Sequence, residues 1–366
     1  MLSLNDKISI RQLQILLILD VLGTGVTALP RVTASIAGRS GWLCVLGATG
    51  LAAAAAWLMM TLALRFPGKT FPEYSAMLLS RPLGMIAAAV LIAKITAGCA
   101  FELRVFGEIV RRTMLPQTPF AIVCGVLLLV AAYAAGKGYE TRARIAEILI
   151  FIVILPLVFI FGLAAREIDF SNLLPLFDAD AQGILRGTAE AGFAFTGIEF
   201  ALLAVPYLAK PVGARKGVVG AVVVTGLLMA VITVFTLARF GAANVLNRLW
   251  PVLDMMDTVE LPGSFIERQE ALMMSLWIVS LFAVVNAGLF FSSVLLRDTV
   301  KKGKHYMYVL GLLPVMFALA YWPSDAEQAY AFMRGLNLTL GLAFYAGIVP
   351  LLFVAALLRK AGERRA

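Results

Sequence analysis

Apolar residues in this chain come in long unbroken blocks rather than at the 3.6-residue spacing of a half-buried helix or the alternation of a strand. Ten such runs stand out: about 11–34, 42–64, 84–110, 117–135, 144–165, 187–209, 217–238, 271–296, 306–321 and 334–358. Each is close to the roughly 20 residues needed to span a bilayer. The pattern predicts an all-α membrane protein of ten transmembrane helices in a single domain covering 1–366.

An even number of crossings puts both termini on one side, and Lys and Arg decide which. Connections on the N-terminal side carry nineteen of them against ten on the other, so both termini are expected in the cytoplasm. Residues 65–83, with Pro67-Gly68 and Arg81-Pro82, have turn chemistry around a short amphipathic helix. The longest connection, the outer loop at 239–270, carries Asp254, Asp257, Glu260, Glu267 and Glu270.

Two runs break their own pattern. Gly23-Thr24-Gly25-Val26-Thr27 interrupts the first, and Gly192-Phe193-Ala194-Phe195-Thr196-Gly197-Ile198-Glu199-Phe200 interrupts the sixth. Thr24-Gly25 matches Thr196-Gly197, and a proline follows each, Pro30 and Pro206. At 1.5 Å per residue both breaks lie roughly 15–18 Å from the start of their runs, the middle of a core about 30 Å thick. Breaks in the first and sixth of ten spans predict a 5+5 inverted repeat, repeat one over about 11–165 and repeat two over about 187–358. Irregular backbone at the midplane is tolerated where it lines a cavity or is buried in protein. Its free N–H and C=O groups can hold a carboxylate and a cation together, which suits an amino acid zwitterion. Close helix packing through small residues is the competing use of these glycines.

The composition agrees: 61% hydrophobic and 14% charged residues, with a mean hydropathy of +0.90, against about 45–50% and 25% in soluble domains. The net charge of +9 belongs to cytoplasmic loops and not to nucleic-acid binding. Cys44, Cys99 and Cys124 sit in apolar stretches without metal spacing and are read as small core residues. His305 is the single histidine; it supports neither a metal site nor a nucleophile pair, and there is no P-loop glycine motif. No enzyme activity and no cofactor are expected. A cleaved signal peptide over 7–37 is disfavoured by Arg31 and the Gly-Thr-Gly centre.

Charges inside spans are functional hypotheses. Glu199 lies in the second break, where it can contact a ligand, take up a proton or hold the unwound backbone. Lys94, about 15 Å deep in the third run, needs a partner, with Glu199 and Glu102 the candidates, and can stand in for a bound cation. Arg104 and Glu108 are i,i+4 neighbours near the outer interface, and Glu102 is deep enough to act at an outer gate. Asn286 in the eighth run is either a ligand group or an interhelical bond.

The stretches Gln12 to Arg31 (QLQILLILDVLGTGVTALPR), Pro67 to Tyr74 (PGKTFPEY), Phe101 to Pro116 (FELRVFGEIVRRTMLP), Gly138 to Glu147 (GYETRARIAE), Gly187 to Pro211 (GTAEAGFAFTGIEFALLAVPYLAKP), Leu261 to Met274 (LPGSFIERQEALMM) and Phe291 to His305 (FFSSVLLRDTVKKGKH) resemble the spore germination permease family. These proteins are the B subunits of GerA-type germinant receptors, related to the amino acid/polyamine/organocation transporters. The resemblance implies a LeuT-like fold in the spore inner membrane that recognises a small germinant, often an amino acid, together with A and C subunits. It implies a ligand held by Gly23, Thr24, Gly25 and Thr27 in the first break and by Phe195, Thr196, Gly197 and Glu199 in the sixth. Gly98 and Phe101 on the third run, with Asn286 and Phe290 on the eighth, are matched by depth alone. Lys94 and Glu102 are ion or gate candidates. Glu199 and Lys94 depart from the wider transporter pattern and put sodium coupling in doubt. A proton-coupled amino acid permease acting alone, and a structural membrane subunit without ligand, remain as alternatives.

Overall fold

The computed structural model describes residues 6–23, 25–165, 168–257 and 269–361. Within them the regular elements are helices, and the one extended contact is an isolated parallel bridge between Ile8 and Leu208. In chain order the helices are α1 (Ile10–Val21), α2 (Gly25–Ala37), α3 (Gly41–Ala63), α4 (Phe71–Leu78), α5 (Arg81–Thr113), α6 (Phe120–Ala135), α7 (Tyr139–Ala164) and α8 (Ala181–Ala191). They continue with α9 (Phe200–Ala204), α10 (Ala214–Phe240), α11 (Ala242–Leu246), α12 (Pro251–Asp257), α13 (Gln269–Val300), α14 (His305–Tyr321), α15 (Ala326–Leu336) and α16 (Val349–Leu358).

Each apolar run coincides with helix. Among the described residues six stretches are long and apolar enough to cross a membrane: Gly25–Ala63, Arg81–Thr113, Ala181–Tyr207, Ala214–Phe240, Ile278–Val300 and Ala326–Leu358; Phe120–Ala135 and His305–Tyr321 are shorter apolar helices. The chain is thus a multi-pass helical membrane protein. The first of these stretches holds two runs, because the backbone turns at Gly38 (φ +52°) and Gly41 lies against Thr33. In the outer connection the structure describes α11 and α12; residues 258–268, including Glu260 and Glu267, lie outside the described residues.

Counted as runs, one and six, two and seven, three and eight, and four and nine each pack on one another: α1 and α2 on α9 and α8, α3 on α10, α5 on α13, α6 on α14. Small residues let these helices approach closely. A Cβ on Gly226 of α10 would stand 2.3 Å from Thr49 of α3, and one on Gly288 of α13 would stand 2.3 Å from the Cys99 sulfur of α5. The other cysteines are used the same way, Cys124 against Gly107 and Cys44 against Gly187. All three are buried and free.

Polar connections gather on two faces. On the face of the N-terminus, Lys7 donates to the Pro206 carbonyl, Arg215 to Thr61, and Arg359 to the Met77 carbonyl. On the other, Arg31 reaches Glu327 and the Leu246 carbonyl, and Asn172 reaches the Ala238 carbonyl. The 65–83 connection holds α4, opened by a capping box between Thr70 and Glu73. One interruption has no counterpart in the apolar pattern. Between α15 and α16 the last run passes through two π-helical turns, Asn337–Gly341 and Ala343–Ile348, a geometry often found at functional sites.

Candidate functional site

Both breaks form, and they meet. Helix α1 ends at Val21 and α2 restarts at Gly25; Thr24 between them lies outside the described residues. In the sixth run α8 gives way to a 3-10 turn over Gly192–Phe195, then Gly197 takes φ +109° before α9 begins. Glycine is needed there twice over: L side chains rarely adopt that φ, and a Cβ would stand 3.0 Å from the Asp20 carbonyl oxygen at the end of α1. Gly25 is equally constrained, since its Cβ would stand 3.1 Å from the Ala194 backbone. The two interrupted elements therefore lie backbone to backbone.

Glu199 sits at this junction, fully buried. Its Oε1 accepts from Lys94 Nζ at 2.6 Å, and its Oε2 accepts from the Tyr345 hydroxyl at 2.5 Å and from the Gly197 N–H at 3.1 Å. Lys94 is 1% exposed, and its ammonium lies 5.0 Å from the centre of the Tyr345 ring. Three elements, α5, the second break and the π-helical segment of the last run, are thus pinned by one carboxylate. A charged pair removed from water needs such additional hydrogen bonds to repay its desolvation.

Glu102, about two turns further along α5, is buried and fills the space a side chain at Gly23 would take, its oxygens 3.1 and 3.2 Å from where that Cβ would be. Thr196 lies beside Gly98, whose Cβ would be 3.5 Å from the threonine methyl. Phe101 packs on Phe332, and the Thr27 hydroxyl shares a 3.0 Å hydrogen bond with Tyr330. A cavity of about 370 Å³ opens beside the junction, lined by Phe195, Gly192, Ile198 and Tyr345 on one side and by α3 alanines on the other.

Two residues of the eighth run stand apart from the breaks. Asn286 donates to the Ala131 carbonyl at 2.8 Å, an interhelical bond between α13 and α6. Phe290 belongs to an aromatic cluster with Tyr139, Tyr207 and Phe291, and lines a cavity of about 490 Å³ on the face of the N-terminus together with Arg297 and His305.

The sequence reading missed Asp20, Arg142 and Tyr345. Asp20 is 2% exposed and ion-paired with Arg142, itself 4% exposed and also donating to the Ala283 carbonyl at 3.4 Å. By sequence position Arg142 is one of the nineteen cations of the N-terminal-side connections; it turns inward, where the buried Asp20 carboxylate needs a counter-charge. The signal existed: an acid three residues before Gly23 is as costly in a span as Lys94. For Tyr345 there was none, since its partner is 146 positions away. Arg104 pairs with Glu108, its i,i+4 neighbour, at 2.8 Å, and, only 7% exposed, also donates to the Ser324 carbonyl at 2.5 Å.

Comparison with known proteins places this architecture. A family model described as spore germination protein matches residues 7–329. Spore germination protein YndE of Bacillus subtilis (strain 168) is 31% identical over 367 residues, 100% of both chains. Spore germination protein B2 of the same organism is 23% identical, covering 95% of this chain and 94% of its own length. Spore germination protein GerLB of Bacillus cereus is 24% identical, covering 88% of this chain and 87% of its own. With a multi-pass helical fold, two meeting helix breaks and matches along almost its whole length, the chain belongs to the spore germination permease family.

Proposed function

We propose that this chain recognises a small polar germinant, an amino acid in the first instance, at the junction of its two broken helices, and does so as one subunit of a germinant receptor with A and C subunits in the spore inner membrane. The carrying observation is the backbone contact of the two breaks around the Lys94–Glu199–Tyr345 cluster. A ten-span, LeuT-like 5+5 repeat with cytoplasmic termini accounts for the packing of runs one to four on runs six to nine, their counterparts five runs later.

The cluster suits a sensor. Glu199 is satisfied internally by Lys94, Tyr345 and the Gly197 N–H. A zwitterion brings its own ammonium to compete with Lys94 for that carboxylate and its own carboxylate to the amide end of α2 at Gly25. Exchange of partners there frees Tyr345 and the π-helical segment. The solute thereby has different affinities for two arrangements, which is what a population shift requires. Gly98, Thr196, Phe195 and Glu102 surround the exchange, and Thr24 falls within it by sequence position.

A second reading, a stand-alone proton-coupled amino acid permease, is favoured by the same ion pair, because Lys94 supplies a resident cation where a sodium-coupled protein would need a bound one. Thermal unfolding of the purified chain against a panel of amino acids, sugars and nucleosides tests the site. A ligand of the folded state at about 100 times its Kd stabilises by about 2.7 kcal/mol. One solute should stabilise the parent and neither Glu199→Gln nor Gly25→Ala. A shift that survives both substitutions removes the junction as the site, and solute flux through the reconstituted chain separates permease from receptor.

A further inference from the structure

On the face of the N-terminus a second cleft, about 710 Å³, opens between α4, the start of α5 and the end of α13. Lys69, Arg81 and Lys301 line it, all exposed, and none has an acidic partner among the described residues. The two acids in its lining are committed elsewhere: Glu73 accepts from the Thr70 N–H at 2.9 Å as part of the α4 capping box, and Asp298 accepts from Arg297 at 2.9 and 2.8 Å. The cleft therefore presents an excess of positive charge in a volume typical of ligand sites.

Its depth is fixed by the helices that frame it. Arg81 is the first residue of α5 and Lys301 the first beyond α13, so the cations sit where apolar spans end and phosphates of a bilayer begin. One turn further into the span, on the same face of α5 as Arg81, the wall becomes apolar and open: Met85 lines the cleft and is 48% exposed, and Met77 of α4 lines it at 50%. A soluble anion would use the cations and leave that wall bare. A molecule with a charged head and apolar tails uses both. A further polar feature marks the head: Asp298 Oδ2 is buried with no hydrogen-bond partner among the described residues, and it needs a donor.

We infer that this cleft is a binding site for an anionic phospholipid whose headgroup carries a hydroxyl. The phosphate lies among Lys69, Arg81 and Lys301, the headgroup hydroxyl donates to Asp298, and the acyl chains run past Met85 along α5. A lipid so placed ties α4 to the ends of α5 and α13.

The test titrates the detergent-solubilised full chain with phosphatidylglycerol, phosphatidylmethanol, phosphatidylcholine and soluble glycerol phosphate, read by the unfolding midpoint. Phosphatidylglycerol should half-saturate at a concentration at least about tenfold below phosphatidylcholine. A basic residue at a membrane surface contributes about fivefold in affinity. Lys69→Gln/Arg81→Gln/Lys301→Asn should therefore raise the half-saturating concentration about a hundredfold; asparagine is chosen because Lys301 has φ +58°. Arg11→Gln/Lys210→Gln/Lys216→Gln removes as much charge from exposed positions outside the cleft and should cost less than about fivefold. Equal losses in the two triple variants, or no preference over phosphatidylcholine, would overturn the site. Saturation by glycerol phosphate at the lipid's concentration would make the ligand a soluble phosphate and overturn the lipid. Equal binding of phosphatidylmethanol, which has the charge without the hydroxyl, would overturn the role given to Asp298.

Discussion

Replacing Lys94 by methionine should be among the most damaging single changes in the chain. Lys94 and Glu199 are 1% and 0% exposed, with 2.6 Å between nitrogen and oxygen. Lys94→Met keeps the volume but leaves a buried carboxylate with only the Tyr345 hydroxyl and the Gly197 N–H, a loss of about 3–5 kcal/mol. Glu199→Gln strands the ammonium instead, at similar cost. The double variant Lys94→Met/Glu199→Gln carries no uncompensated charge and should lose less than either single, about 2 kcal/mol or below. The coupling energy of the cycle is then at least about 4 kcal/mol. Equilibrium unfolding in mixed micelles, followed by tryptophan fluorescence, measures all four corners. Single losses near 1 kcal/mol, or a double loss equal to their sum, would refute the view that one buried ion pair holds α5 to the second break.

Three other substitutions probe the same architecture. Gly197→Ala forces a Cβ at φ +109° to within 3.0 Å of the Asp20 carbonyl; unfolding should show a loss of about 1–3 kcal/mol, and a neutral result would mean the breaks do not touch. Asp20→Asn leaves the Arg142 guanidinium buried without its counter-charge and should destabilise by about 3–5 kcal/mol, with much of that recovered in Asp20→Asn/Arg142→Gln; an additive pair would count against the contact. Asn286→Ala removes one interhelical bond to Ala131, worth about 0.6–1.7 kcal/mol, and should leave solute-induced stabilisation intact. Loss of that response would return Asn286 to the site.

What could be read from the chain itself depended on range. Run length and the charge of connections are local, and they placed the helical segments and the two breaks without knowledge of any contact. The Thr-Gly pair shared by runs one and six marked the elements that meet as Gly25 on Ala194. Lys94 with Glu199 was readable as one of two pairings, because a deep cation must find a deep acid; geometry chose between them and gave Glu102 to Gly23 instead. Tyr345 was not readable, since a tyrosine in an apolar helix has many uses and only the π-helical turns aim it at Glu199. Asn286 and Phe290 were placed by depth on α13, and depth says nothing about which face of a helix a side chain occupies. Arg142 sits four residues into α7, next to a polar corner, and nothing local distinguishes a cation turned inward from one left in solvent.

The central claim is that solute binds where the broken helices meet. A photoreactive analogue of whichever solute stabilises the chain, crosslinked and mapped by mass spectrometry, tests it most directly. Labelling should fall on peptides containing Gly23 to Thr27 and Phe195 to Glu199 and vanish under excess unlabelled solute. Labelling confined to Tyr207, Phe290 and His305, around the cavity on the face of the N-terminus, would contradict it.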